Sequence, residues 1–141
     1  MNDIGEAGLF ALLHAADVAH EHVESKLAAV GLSLPKLAAL RALADAEGPL
    51  PLGQLAGRLS CVKSNITQLV DRLEADGFVA RAPDPGDRRS RLAVMTAAGR
   101  KACEAGSRVQ EETERELFGA LSADEARQLA SLMAKVTSRA L

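Results

Sequence analysis

The chain of 141 residues has no tryptophan, no tyrosine and only three phenylalanines. Sandwiches and barrels rely on aromatic and β-branched side chains, so this scarcity argues against both. Two cysteines, Cys61 and Cys103, are too few for a disulfide framework, and a reducing cytoplasm is the expected compartment. No long apolar run is present. The most apolar early stretch, residues 7–16, is interrupted by His14 and is too short to span a bilayer, so no membrane partner is expected. The opening Met1-Asn2-Asp3 lacks the positive flank of a signal peptide. Also missing are a phosphate-binding glycine loop, a nucleophile elbow, a paired-carboxylate motif and a zinc signature. These absences speak against an enzyme and against a cofactor.

What is there is a composition rich in Ala, Leu, Glu and Arg, with 48% apolar residues. That excludes wholesale disorder and, at this length, fits one mostly helical domain with a Leu/Ala core. The net charge of −2 says nothing for a polyanionic partner, but its distribution does. Residues 58–100 hold eight Lys/Arg against five Asp/Glu, a basic segment inside an acidic chain.

In chain order, Leu9, Leu12, Leu13, Ala16, Val23, Leu27 and Val30 predict an amphipathic helix over residues 4–30, ended by Gly31. Its apolar face exceeds what one neighbour needs, which suggests an inter-subunit element; packing within its own domain is the alternative. Ser33-Leu34-Pro35 opens a second helix, and Glu47-Gly48-Pro49 stops it. Leu52, Leu55, Ala56 and Leu59 mark a short third helix, and the turn Ser60-Cys61-Val62 leads to a fourth over residues 63–76. There Ile66, Leu69, Val70 and Leu73 form the inward stripe. At about 100° per residue, Ser64, Gln68 and Ala75 point outward, flanked by Asn65 and Arg72 on one side and Thr67 and Asp71 on the other. Gly77 is a natural left-handed cap. Amides and hydroxyls in the first turns suit base edges and phosphates, whereas an ordinary exposed helix carries Glu/Lys pairs.

Two short strands, residues 78–82 and 91–95, flank Pro85-Gly86, and Arg81, Arg88, Arg89 and Arg91 cluster on that hairpin. An arginine at a thin loop tip can enter a narrow minor groove, where negative potential is strongest. Asp87, two residues before Arg89, is expected to hold that guanidinium extended by a charge-assisted hydrogen bond. A solvated charged turn is the alternative. Thr96 caps a long helix to about Gly119, and Ser122 with Glu125 forms a capping box for the last helix.

Residues 50–59 (LPLGQLAGRL), 63–77 (KSNITQLVDRLEADG) and 81–100, with RAPDPGDRR at their start and TAAGR at their end, resemble the winged helix-turn-helix of MarR-family transcriptional regulators. The motif spans about a third of the chain, and the flanking helices agree in number and order. The resemblance implies a mostly α fold with a small β-hairpin wing, an α+β winged helix-turn-helix, in one domain over residues 1–141. Its DNA-binding module would be residues 33–100, flanked by dimerisation helices 3–30 and 101–141 that interlock in a homodimer. It implies a double-stranded DNA partner, a pseudo-palindromic operator and a repressor, with the second helix of the module in the major groove and a wing arginine in the minor groove. Carried over by position, Ser64, Asn65, Thr67, Gln68 and Arg72 fall on groove- or phosphate-facing sites, and Asp87 and Arg89 on the family's Asp-x-Arg wing pair; Lys63, Arg88 and Arg91 beside them are further DNA-binding candidates. Many members are released from DNA by a small phenolic or aromatic effector, and some by cysteine oxidation. A ligand pocket would lie between the first helix, the second and the long helix after the wing, with His14 and Arg41 as its polar residues. Two departures stand out. Pro51 and Val62 replace polar helix caps, and Gln68 replaces a common arginine, which alters base preference.

Three histidines lie on the first helix, but His14 and His20 are about 120° apart around it and do not converge on a metal. Cys61 precedes the fourth helix, near Lys63, where its pKa would be lowered. Redox sensing there competes with a small buried thiol, and Cys103 reads as core. One rival function is a helical dimer that binds a partner protein, which acidic or apolar residues on the fourth helix and wing would favour. A non-specific chromatin-type protein is another, but it calls for a basic chain.

Overall fold

A computed structural model describes residues 5–59 and 65–140. Among these described residues, six helices and three strands follow in the order α1 (Gly5–Ala28), α2 (Leu34–Asp45), β1 (Leu50–Pro51), α3 (Leu52–Arg58), α4 (Ile66–Ala75), β2 (Val79–Asp84), β3 (Asp87–Met95), α5 (Ala97–Phe118) and α6 (Ala123–Ala140). The expected mostly helical fold with a β wing is what the chain adopts.

Helix boundaries follow local chemistry. Gly31, at φ +76°, lets the Leu32 amide turn back to the Leu27 carbonyl at 2.9 Å and ends α1. Ser33 accepts from the Lys36 amide at the start of α2, and Thr96 accepts from the Gly99 amide at the start of α5. Ser122 and Glu125 exchange hydrogen bonds of 3.0 and 3.1 Å as a reciprocal capping box before α6. By contrast, α3 starts after Pro51 with no side-chain cap. The substitution of proline for a polar cap thus has its structural counterpart.

The sheet corrects the two-strand expectation. Its order is β1-β3-β2, antiparallel throughout, with β1 pairing Leu50 to Ala93 and Pro51 to Leu92. A two-residue strand beginning in Leu-Pro shows no alternation from which to read it. The hairpin strands also run farther than 78–82 and 91–95, since Pro83 pairs with Arg91 and Asp84 with Asp87. Only Pro85-Gly86 remains as the turn.

One apolar core joins these parts. Leu27 of α1, Leu40 and Leu43 of α2, Leu55 of α3 and Val70 and Leu73 of α4 are fully buried. Each such side chain contributes about 1.5–3 kcal/mol through removal from water. Two glycines permit the tightest approaches to α5. A Cβ on Gly106 would stand 2.6 Å from Leu32 Cδ1 and 2.7 Å from Leu37 Cδ1, and one on Gly99 would overlap the Phe78 carbonyl oxygen. The same junction carries the Thr96 hydroxyl donating to the Gly77 carbonyl at 2.6 Å and the Thr96 amide donating to the Phe78 carbonyl at 3.0 Å. The start of α5 is thereby bolted to the end of α4.

Outside this core, Leu9, Phe10, Leu12, Leu13 and Val18 of α1, Leu117 and Phe118 of α5 and Leu132, Met133 and Val136 of α6 are exposed. No described side chain of α6 is buried. None of the described helices is long and apolar enough to cross a membrane.

Backbone atoms cannot swing aside as a side chain does, so Gly99→Ala should lower stability by about 1–3 kcal/mol in urea unfolding. Gly48→Ala, where a Cβ meets nothing within 4 Å, serves as the control. Equal midpoints for the two variants would show that the junction yields.

Candidate nucleic-acid interface

Helix α4 has ten residues, too few to persist without packing, and its orientation is dictated by Leu69, Val70 and Leu73, which are buried. Thr67, Gln68, Asp71 and Arg72 are therefore turned to solvent. Asn65 is extended (φ −76°, ψ 115°), and its Oδ1 accepts from the amides of Thr67 and Gln68 at 3.0 and 3.3 Å. This corrects the expectation of a helix beginning at residue 63. Asn65 is the N-cap, its carbonyl oxygen engaged by two orphan amides, and only its NH2 group remains to meet a ligand. Lys63, Ser64 and Cys61, each expected to have a role, lie outside the described residues.

On the hairpin, Asp87, Arg88, Arg89 and Arg91 are all exposed. Asp87 does not hold the Arg89 guanidinium as expected. Its Oδ1 accepts from the Arg89 backbone amide at 2.9 Å, an Asx-type turn that shapes the strand entry instead. A short side chain reaches its neighbour's amide two residues on more readily than a guanidinium at the end of a long stem. Among the described residues no ion pair involves Arg72, Arg88, Arg89 or Arg91.

Arg81 lies on the hairpin as expected, in β2, but its side chain turns to α4. Its Nη2 donates to Asp71 Oδ1 at 2.7 Å and to the Thr67 carbonyl at 3.3 Å, its Nη1 donates to Glu74 Oε1 at 3.0 Å, and its backbone amide donates to Glu74 Oε2 at 3.2 Å. The hydrogen bond to Asp71, with added attraction from both carboxylates, pushes its pKa above the usual arginine range. The missed signal was the spacing of Thr67, Asp71 and Glu74 at i, i+4 and i+7, one flank of α4 facing β2. Between that flank and the wing runs an open trough of about 430 Å³, lined by Thr67, Arg81, Asp87, Arg89, Ser90 and Arg91 with Leu52 and Gly53. Its walls present hydroxyls and guanidinium groups, the donors that suit a sugar–phosphate strand.

A second cleft, about 640 Å³, lies between α2, the end of α3 and α5. Leu34, Leu37 and Ala38 form its apolar side, with Arg41, Asp45, Arg58 and Gln110 around them. Arg41 lines it and donates to Gln110 Oε1. His14 does not line it. That residue is exposed on α1, and no residue of α1 lines the cleft, whose third side is the end of α3. Elsewhere, His22 and Lys26 of α1 both engage Glu116 of α5, which holds the Glu116 carboxyl below its usual range, the Lys26 hydrogen bond contributing most. Cys103 is buried in the core, as its surroundings in the sequence suggested, and burial pushes its thiol pKa up. Among the described residues no three His, Cys, Asp or Glu side chains are grouped to hold a metal.

Comparison with known proteins agrees with this geometry. The MarR family model matches residues 32–90, from the start of α2 into the wing. The chain is 39% identical over 93 residues to the transcriptional activatory protein BadR of Rhodopseudomonas palustris, covering 64% of this chain and 53% of that one. It thus spans about half the length of that curated relative. Among solved structures, a probable transcriptional regulator from Pseudomonas aeruginosa is 32% identical with a TM-score of 0.80, covering 94% of this chain and 97% of that one. Mutant MarR from Escherichia coli complexed with operator DNA is 26% identical, also at TM-score 0.80, covering 96% and 99%. With the helix-turn-helix and wing matched as a unit and a relative of 32% identity aligned along nearly its whole length, this chain belongs to the MarR family.

Proposed function

We propose that this chain is a cytoplasmic, homodimeric transcriptional regulator that binds a pseudo-palindromic operator in double-stranded DNA and represses by occupying it. The observation that carries the reading is the pairing of two exposed surfaces on one module. The outward face of α4 offers Thr67, Gln68 and Arg72, and the wing offers Arg88, Arg89 and Arg91, all of them outside the ion pairs among the described residues. Gln68 is suited to bidentate contact with adenine, and Arg89 to the negative potential of a narrow minor groove. A solved MarR structure of 26% identity is complexed with operator DNA, which supports a DNA partner for this chain.

Dimerisation is supported by the exposed apolar residues of α1, α5 and α6. Phe10 is 66% exposed, Leu132 58% and Val136 57%, a combination that a lone soluble chain rarely leaves in water. A second copy, related by a two-fold axis, would cover them and set two modules about 34 Å apart. An effector is proposed for the α2–α3–α5 cleft. Its apolar wall and the guanidinium groups of Arg41 and Arg58 suit an aromatic acid.

Selection of binding sites from random DNA should return an inverted repeat with half-sites one helical turn apart. An unpaired half-site, or no enrichment, would remove the dimeric reading. Arg89→Ala should weaken operator binding by about 1–3 kcal/mol and reduce the salt slope by about one, as read from titrations at several ionic strengths. Gln68→Ala should relax base preference at one position while leaving random-duplex affinity nearly unchanged. Equal losses on every sequence would contradict that role. Titrating a panel of aromatic acids into the complex should release the DNA, and Arg41→Ala should abolish the release; a variant that responds like the parent would move the effector elsewhere.

A further inference from the structure

We infer that Arg81 is a positioning residue for DNA recognition, a strut that sets the angle between α4 and the wing so that both reach one duplex in register. The inference rests on the DNA-binding reading above and assigns Arg81 a role distinct from that of Arg88, Arg89 and Arg91. Its guanidinium spans Thr67, Asp71 and Glu74, two turns along one flank of α4, through three hydrogen bonds between 2.7 and 3.3 Å. Its own backbone sits in β2, opposite Ala93 of β3, and β3 begins with Asp87, Arg88 and Arg89. Rotation of α4 about its axis is thus tied by side-chain bonds to the strand pair that carries the wing tip.

Two further features favour a strut over a direct phosphate contact. The Arg81 side chain is 24% exposed, whereas its partners Asp71 and Glu74 are 60% and 45% exposed, so the guanidinium lies beneath the carboxylates. Each N–H that the fork commits to the helix is withdrawn from an incoming phosphate. The pairing also offsets one of the two negative charges of Asp71 and Glu74 on the face proposed to meet DNA. Exposed ion pairs add little to global stability, so the bonds matter for geometry more than for folding. The apolar stripe of α4 and the β1–β3 and β2–β3 pairing hold the module together without them.

Removing the carboxylates while keeping Arg81 separates geometry from charge. The Asp71→Ala/Glu74→Ala variant loses two negative charges near the DNA, which by electrostatics alone strengthens binding to every duplex. The strut instead requires that operator affinity fall, by about tenfold, so that preference for operator over random duplex shrinks. It also requires coupling at a distance, with the loss caused by Arg89→Ala becoming smaller in the Asp71→Ala/Glu74→Ala background than in the parent. Independent contacts would leave that loss unchanged. Anisotropy titrations on the selected operator and a random duplex, with thermal melts to confirm folding, read all of these. Arg81→Lys, which keeps the charge but not the fork, should show the same reduced preference. Tighter binding to both duplexes with preference retained, or additive losses with Arg89→Ala, would overturn the strut. A parent protein with no operator preference would instead overturn the proposed function.

Discussion

Burial of three side chains on a helix too short to persist alone governs how this molecule meets its surroundings. Leu69, Val70 and Leu73 can leave water only by lying against α2, α3 and β2, and that single requirement fixes which side of α4 faces outward. Gln68 and Arg72 are exposed because their neighbours are not. Asn65 then finishes the helix at its start, its side-chain oxygen taking the first amides that no turn of helix can satisfy.

Around that helix the chain builds two kinds of connection. One is rigid. Thr96, Gly77, Phe78 and Gly99 bring the start of α5 into backbone contact with the end of α4, and Lys36 of α2 reaches Asp76 at the far cap of α4 at 2.7 Å. The other is a side-chain fork, Arg81 between α4 and β2. The first kind ties α5 and α2 to the end of α4, and the second ties the flank of α4 to the strand pair that carries the wing. The cleft beside Arg41 and Gln110 lies between α2, the end of α3 and α5.

Much of this was legible in the residues. Ser33, Thr96 and the Ser122/Glu125 pair marked helix starts because capping depends on a few adjacent positions. The inward stripe of α4 followed from its period, and the arginines of the wing from their crowding about Pro85-Gly86. Less legible were β1, whose pairing to β3 depends on a partner some forty residues on, and the roles of polar side chains with more than one reachable partner. Asn65 could cap or project. Asp87 could hold a guanidinium or an amide, and took the amide. Arg81 carried the same charge and sat on the same hairpin as Arg89 but turned toward the helix instead of the tip.

Local sequence therefore determined the helices, their caps, the outward face of α4 and the basic wing, because each depends on neighbours within a turn or two of chain. Tertiary structure alone decided which arginine braces and which remains exposed, where the cleft lies relative to His14 and Arg41, and how α5 seats against α4. Those outcomes depend on distances between segments remote in sequence, and a charged or amide side chain takes whichever partner the packed backbone brings within about 3 Å.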